Sequence, residues 1–245
     1  MLTEYMVGLQ SYTYRKHPLE KLIQDSVKLG LNAVELWEGH LPLDSSTATV
    51  NKVREALESN GIRICGIGVI NISERDPEGV LEFASRLEAD YVSVDFDPGD
   101  EKTQQKACDI AQEVGMKLAI HNHGPGHHFA TPDDIRPILD STPESMGVCM
   151  DTGHFLRSGV DALSAIESLS PRIYAVHLKD FVDEKTEVPP GKGRLDLPAV
   201  VDALKSNLYQ GCYIVEYEER PEDPMPDLVG SFEQLQRALE GRDAR

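Results

Sequence analysis

The segment 116–129 reads MKLAIHNHGPGHHF and packs His121, His123, His127 and His128, half of the chain's eight histidines, into eight residues. An apolar run leads into the first of them, the pattern of a strand that ends on an imidazole. Three other runs end on groups of the same kind: GVCMD (147–151) on Asp151, IYAVHL (173–178) at His177 and CYIVEY (212–217) at Glu216. Residues two apart on a strand share a face, so His121, Asp151, His177 and Glu216 all fall opposite the outward apolar residues. Ala119, Cys149 and Ala175 precede the first three on that same face. Two imidazoles and two carboxylates suit a borderline divalent ion, zinc or manganese, with positions left for water or substrate. The competing reading is a set of hydrogen-bonded polar residues lining a wet mouth, because such charges cannot be buried unpaired.

The elements that must position these residues repeat along the chain. Apolar, β-branched runs at 5–9, 32–36, 63–68, 91–96, 117–121, 147–151, 173–178 and 212–217 predict eight strands. Helical segments separate them: PLEKLIQDSVKLG opens on proline and closes on glycine, and TPDDIRPIL opens on a threonine cap with acids in its first turn. Eight βα units without a linker predict an α/β fold, a (β/α)8 TIM barrel forming one domain over 1–245. A doubly wound sheet would carry a glycine-rich phosphate turn after its first strand, and the turn here, GLQSYTYRKH, has no GxGxxG. In the barrel, Glu35 and Asp95 also point inward, so six strands bring an ionisable group to the carboxyl mouth, where barrel active sites gather.

Other residues at that mouth are candidates for binding and proton transfer. Glu216 is the best placed carbon base. Glu35 can act as acid or base, or pair with Lys179. His123 can replace His121 as ligand if the fifth strand runs on, or serve as an acid. His154, three residues past Asp151, can hold substrate or act as acid, or merely cap a loop. Lys179 is a candidate substrate contact, and Trp37 and Phe155 can offer apolar faces to a sugar ring. GKGR (191–194) has the amides and charges for a phosphate, though a flexible loop is the simpler reading. His127 and His128, beyond the GPG turn, read as solvent-exposed.

Composition narrows the partners. With 42 Asp and Glu against 24 Lys and Arg the formal charge is -18, which repels a phosphate backbone; no nucleic-acid partner is expected. The N-terminus MLTEYMVGLQ lacks a signal peptide's basic start and apolar stretch, and no run is long enough to span a bilayer, so a cytoplasmic protein without membrane association is expected. Cys65, Cys108, Cys149 and Cys212 form no CxxC pair and read as reduced thiols. A homo-oligomer is compatible with all of this.

GLNAVELW, LAIHNHG, VCMDTGHFLRSGVD, AVHLKDF and YIVEYE together resemble the sugar phosphate isomerase/epimerase superfamily, the xylose isomerase-like barrels that include ketose epimerases, inosose dehydratase and, more distantly, abasic-site endonucleases. The resemblance covers nearly the whole chain. It implies a divalent metal on Asp151, His177 and Glu216, substrate contact by His154, and Glu35 beside the site. The superfamily's fifth strand usually reads like LALENHG, with a glutamate ligand where this chain has His121. The expected function is a metal-dependent isomerase or epimerase acting through an enediolate on a small-molecule carbohydrate, a sugar, keto-sugar or derivative. A dehydratase or lyase on an inosose or keto-sugar is the first alternative. A nuclease is opposed by the acidity, and a binding barrel without chemistry is the non-enzymatic option.

Overall fold

A computed structural model describes residues 5–241; residues 1–4 and 242–245, the two ends of the expected domain, lie outside the described residues. Eight parallel strands close into a barrel: β1 (Val7–Gln10), β2 (Ala33–Leu36), β3 (Arg63–Asn71), β4 (Tyr91–Asp95), β5 (Lys117–His121), β6 (Met146–Asp151), β7 (Ile173–Leu178) and, after a small hairpin of β8 (Asp180–Phe181) and β9 (Glu187–Val188), β10 (Tyr213–Val215). All eight expected barrel strands are present. β10 is shorter than its sequence run, so Glu216 stands one residue beyond it. The β8–β9 hairpin has no counterpart among the eight expected strands.

Helices fill the intervals and begin where their caps dictate. Asp76, Asp100, Asp161 and Asp196 each accept a backbone amide in the first turn of the helix that follows. Thr131 and Asp134 form a reciprocal capping box at the start of α5 (Pro132–Ser141). The helix α1 (Leu19–Leu29) stops at Gly30, whose φ of 71° a side chain would strain. The turn after β1 is a 3-10 helix, Ser11–Tyr14.

Alternation divides the apolar residues in two. Outward side chains such as Val34, Val92, Leu118, Ile120, Val148 and Val176 pack against the helices. Inside the barrel lies a separate small core of Ala33, Cys65, Tyr91, Ala119, Cys149, Ala175, Cys212 and Ile214. Alanines and cysteines occupy little of this interior, and the Tyr91 ring fills what they leave. A Cβ on Gly66 would sit 2.4 Å from that ring, so the strand can pass it only as glycine. The register then sets the polar tips side by side above this core: Gln10 pairs with Glu35, Asp151 with His177, and His121 with Cys149.

Candidate active site

His121, Asp151, His177 and Glu216 each contribute one ligand-type atom to a cluster in which all such atoms lie within 4.8 Å of one another. His121 Nε2 is 3.2 Å from His177 Nδ1 and 3.8 Å from Asp151 Oδ2, and Glu216 Oε2 is 3.0 Å from His177 Nδ1. All four residues are buried. Asp151 is held twice over: its backbone N–H donates to Asn122 Oδ1 at 2.8 Å, and its own Oδ1 caps the short helix α6 (Thr152–Arg157) by accepting from His154 N at 2.7 Å. Its other oxygen, Oδ2, has no hydrogen-bond partner although it is fully buried. A buried carboxylate oxygen without a donor is costly. Aimed at two imidazole nitrogens and a second carboxylate, it fits a cation.

The protonation states agree. Burial works against a charged His177, but Cys149, Glu35 and the bond to Glu216 outweigh it and push the ring well above the usual imidazole range. Its Nε2–H donates to Glu35 at 2.7 Å and its Nδ1 faces Glu216, so without an ion the imidazolium supplies the cluster's positive charge. Burial, followed by the neighbouring His123, His177 and His154, drives His121 well below that range, leaving it neutral. Burial raises Asp151 to about 6 against the pull of Lys179. Glu216 is depressed: Lys179 and then His177 overcome its desolvation. Cys149 also approaches the two histidines, but burial raises its thiol to about 11, so it stays protonated and is a poor ligand.

Glu35 lies behind the cluster. One carboxylate oxygen accepts from His177 Nε2 and from Tyr91 O–H (2.6 Å), and the other from Gln10 Nε2 at 3.2 Å. It pairs with His177, not with Lys179. This carboxylate–imidazole arrangement fixes the tautomer that keeps a lone pair on Nδ1 once the ring is neutral. Neither Tyr91 nor Gln10 is among the candidates from the sequence: Tyr91 opens the apolar run of the fourth strand, and Gln10 directly follows that of the first.

Above the cluster is a cavity of about 220 Å³ lined by Gln10, Tyr12, Trp37, Gly68, Val69, His121, His123, His154, Glu216 and Glu218. Trp37 meets Tyr12 edge to face at 5.0 Å, giving the wall an apolar side. β5 ends at His121, and His123 stands outside the four-residue cluster with its ring 4.7 Å from that of His121. Burial and its neighbours lower His123 to about 4, and burial with Lys179 lowers His154 to about 3. Both are therefore neutral at pH 7 and offer hydrogen bonds, not an imidazolium proton. Arg157 Nη1 donates to His154 Nδ1 at 3.2 Å, which sets the ring proton of His154 on Nε2. Phe155 is fully buried in the core and presents no face to the cavity. Lys179, 1% exposed, lies beneath the wall, bonded to Glu218 and 4.0 Å from Glu216. Glu218, the second carboxylate of the cavity, went unnoticed in sequence because it follows the strand that delivers Glu216. A larger cleft of about 350 Å³ at the opposite, amino-terminal end, lined by Tyr91, Tyr174, Leu208 and Tyr209 among others, contains none of the cluster.

The glycine-rich GKGR loop is taken up internally. The amides of Gly191, Gly193 and Leu195 all donate to the buried Asp180 carboxylate, at 3.0, 2.7 and 2.9 Å. The amides that a phosphate would use already cradle an anion belonging to the chain.

Lys179 is shared by Glu216, Glu218 and Glu187 of the hairpin, whose Oε1 accepts from Glu218 N at 3.0 Å. Three carboxyls around one ammonium favour one of them neutral, and burial raises Glu187 to about 8. A raised carboxyl binds more protons folded than unfolded between pH 4.5, its ordinary value, and about 8, so its ionisation removes stability as pH climbs through that window. Glu187→Gln keeps the acceptor and cannot ionise. It should match the parent near pH 5 and exceed it by ~3 kcal/mol at pH 9 in denaturant titrations; equal stability at both pH values would refute the neutral carboxyl.

A closed parallel barrel with a four-ligand cluster at its carboxyl mouth defines the class as a TIM barrel with a candidate metal-dependent active site. The chain matches the xylose isomerase-like TIM barrel family over residues 23–239 and belongs to it. It is similar to an inosose dehydratase of Clostridium perfringens, 33% identical over 131 residues, a match covering 46% of this chain and 44% of that protein. The match thus spans less than half the length of that relative. Among solved structures it resembles D-psicose 3-epimerase crystallised with D-fructose (TM-score 0.72, 21% identity, 96% of this chain and 97% of the other). It also resembles a zinc-bound IOLI protein (TM-score 0.75, 16% identity, 98% and 100%). Identities this low establish the shared fold alone. Among the described residues no helix is long and apolar enough to cross a membrane.

Proposed function

We propose that this chain is a metal-dependent isomerase or epimerase that removes the proton beside the carbonyl of a polyhydroxylated ketone, a keto-sugar or related carbohydrate, and returns it after an enediolate has formed. The carrying observation is the donor-less, fully buried Asp151 Oδ2 aimed at His121, His177 and Glu216 on the floor of a cavity lined by hydrogen-bonding groups. A zinc or manganese ion held by these four would polarise the carbonyl and its neighbouring hydroxyl. The residues supply the rest. Glu216 lines the cavity and belongs to the cluster, so its carboxylate is the base that would take the carbon proton of a substrate bound there. Lys179 bonds closely to Glu218 and lies 4.0 Å from Glu216, so its charge is divided between two carboxylates. His123 and His154, both neutral, orient hydroxyls. Trp37 and Tyr12 cover the apolar face of the ring.

A dehydratase acting through the same enediolate is the second reading, favoured by the similarity to inosose dehydratase. Incubation of the metal-loaded protein with ketohexoses and with an inosose in deuterated water, followed by NMR, separates the two. Deuterium uptake with the hydroxyls retained supports the isomerase or epimerase. Loss of water, with an enone absorbance, establishes the dehydratase instead. No exchange with any polyol ketone, despite bound metal, removes both.

A further inference from the structure

His127 and His128 lie outside the cluster described so far, and the structure gives them a shared partner. His128 Nε2 is 3.0 Å from Asp95 Oδ1, and His127 Nε2 is 3.4 Å from Asp95 Oδ2. The three ligand-type atoms all lie within 4.8 Å of one another. We propose that Asp95, His127 and His128 form a second divalent-metal site at the rim of the barrel, separate from the buried centre and open to water.

The trio is held on a built frame. The loop after β5 turns at Gly126, whose φ of 88° reverses the chain so that both imidazoles fall back over the end of β4. His123 N donates to Phe129 O at 2.9 Å and closes the loop. Phe129, fully buried, packs edge to face on Phe96 at 5.0 Å, so the residue after each ligand segment is locked to the other. The His127 and His128 rings lie 4.0 Å apart, and His128 meets Phe129 edge to face at 4.6 Å. Phe96 N donates to Asp95 Oδ1 at 2.9 Å and fixes the carboxylate. Asp95 and His127 are partly buried and His128 is the most exposed, which leaves coordination positions facing solvent.

Two imidazoles and one carboxylate select zinc, cobalt, nickel or copper over calcium or magnesium, which prefer an all-oxygen shell. The formal charge of -18 draws cations to the surface. His127 Nδ1 accepts a long bond, 3.3 Å, from Phe129 N. An ion on Nε2 moves the ring proton to Nδ1 and gives up that bond, so this site binds more weakly than the buried centre, where Glu35 already supports the required tautomer.

The test uses the whole protein stripped with chelator, dialysed to equilibrium against zinc or cobalt alone and assayed by elemental analysis. Two equivalents are expected, the second roughly tenfold or more weaker. The double variant H127Q/H128Q should lose the weaker equivalent and keep the tighter one, whereas D151N should lose the tighter one and keep the weaker. A single equivalent abolished by H127Q/H128Q and retained in D151N still supports the rim site and removes the buried centre instead. Binding stoichiometry unchanged in H127Q/H128Q overturns the proposal and leaves the trio an ion pair only. An anomalous map from zinc-soaked crystals with density at the buried cluster and none between Asp95, His127 and His128 overturns it as well.

Discussion

Asp151→Asn is expected to weaken divalent-ion binding by roughly a thousandfold or more while leaving the fold intact, because it removes a charged ligand oxygen and nothing structural. The structural work of this residue is done by Oδ1, which caps α6, and by its backbone, which is bonded on both sides to Asn122. An asparagine keeps all three contacts. Only Oδ2, which accepts no hydrogen bond, is exchanged for an amide. Glu35→Gln should act more gently, about 10- to 100-fold, because it changes the group that supports His177 rather than a ligand. The pH dependence follows from the same cluster. His177 is an imidazolium without the ion and Asp151 titrates near 6, so loading must expel protons. About one proton should leave per ion bound at pH 7, so affinity already falls as pH drops, and the fall should steepen below about 6, where Asp151 also becomes neutral. Calorimetry in buffers of different ionisation enthalpy measures both. Binding in D151N as tight as in the parent would show that the ligand atoms are others.

The barrel was legible in the sequence because parallel barrel strands state their boundaries twice, in apolar content and in the polar residue that ends them. LAIH, VCMD and AVHL each give their direction and their inward face in four letters. Glu216 was found by the same rule although its strand stops at Val215. What stayed hidden was contact across the barrel. Tyr91 enters at the start of β4, yet its hydroxyl reaches Glu35 from β2, a meeting that depends on how small Ala119, Cys149 and Ala175 are on three other strands. Lys179, Glu187 and Glu218 meet only because a two-stranded hairpin folds over the rim, and its strands of two residues each are too short to show a period. His127 and His128 read as solvated in the sequence because nothing local relates them to Asp95, more than thirty residues earlier.

His121→Glu is expected to confer or accelerate inversion at carbon, by about tenfold or more, if proton transfer limits the parent. Two-base epimerisation needs a proton carrier of suitable basicity on each face of the sugar. In this chain Glu216 and Glu218 come from one strand end and share Lys179, so both approach from one side of the cavity. The cavity is also lined by His121 and His123, from the end of β5, three strands round the barrel from β10. His121 is neutral and directs Nε2 into the ligand cluster, so its lone pair is committed. His123, lowered to about 4, is too weak a base to stand in for a glutamate. The parent should therefore exchange a carbon-bound proton for deuterium faster than it inverts the carbon, returning the proton to the face it left or expelling a hydroxyl. The substitution also changes charge. Two imidazoles and two carboxylates around a divalent ion sum to zero, and a third carboxylate makes the set negative, so the ion binds more tightly and acidifies a bound hydroxyl less. The variant is expected to gain inversion and lose some exchange rate, a split that mere disruption of the site would not produce. NMR in deuterated water reads both on one sample. Rapid inversion by the parent, unchanged in H121E and in a His123→Gln variant, would place the second proton carrier on neither residue and sink this account.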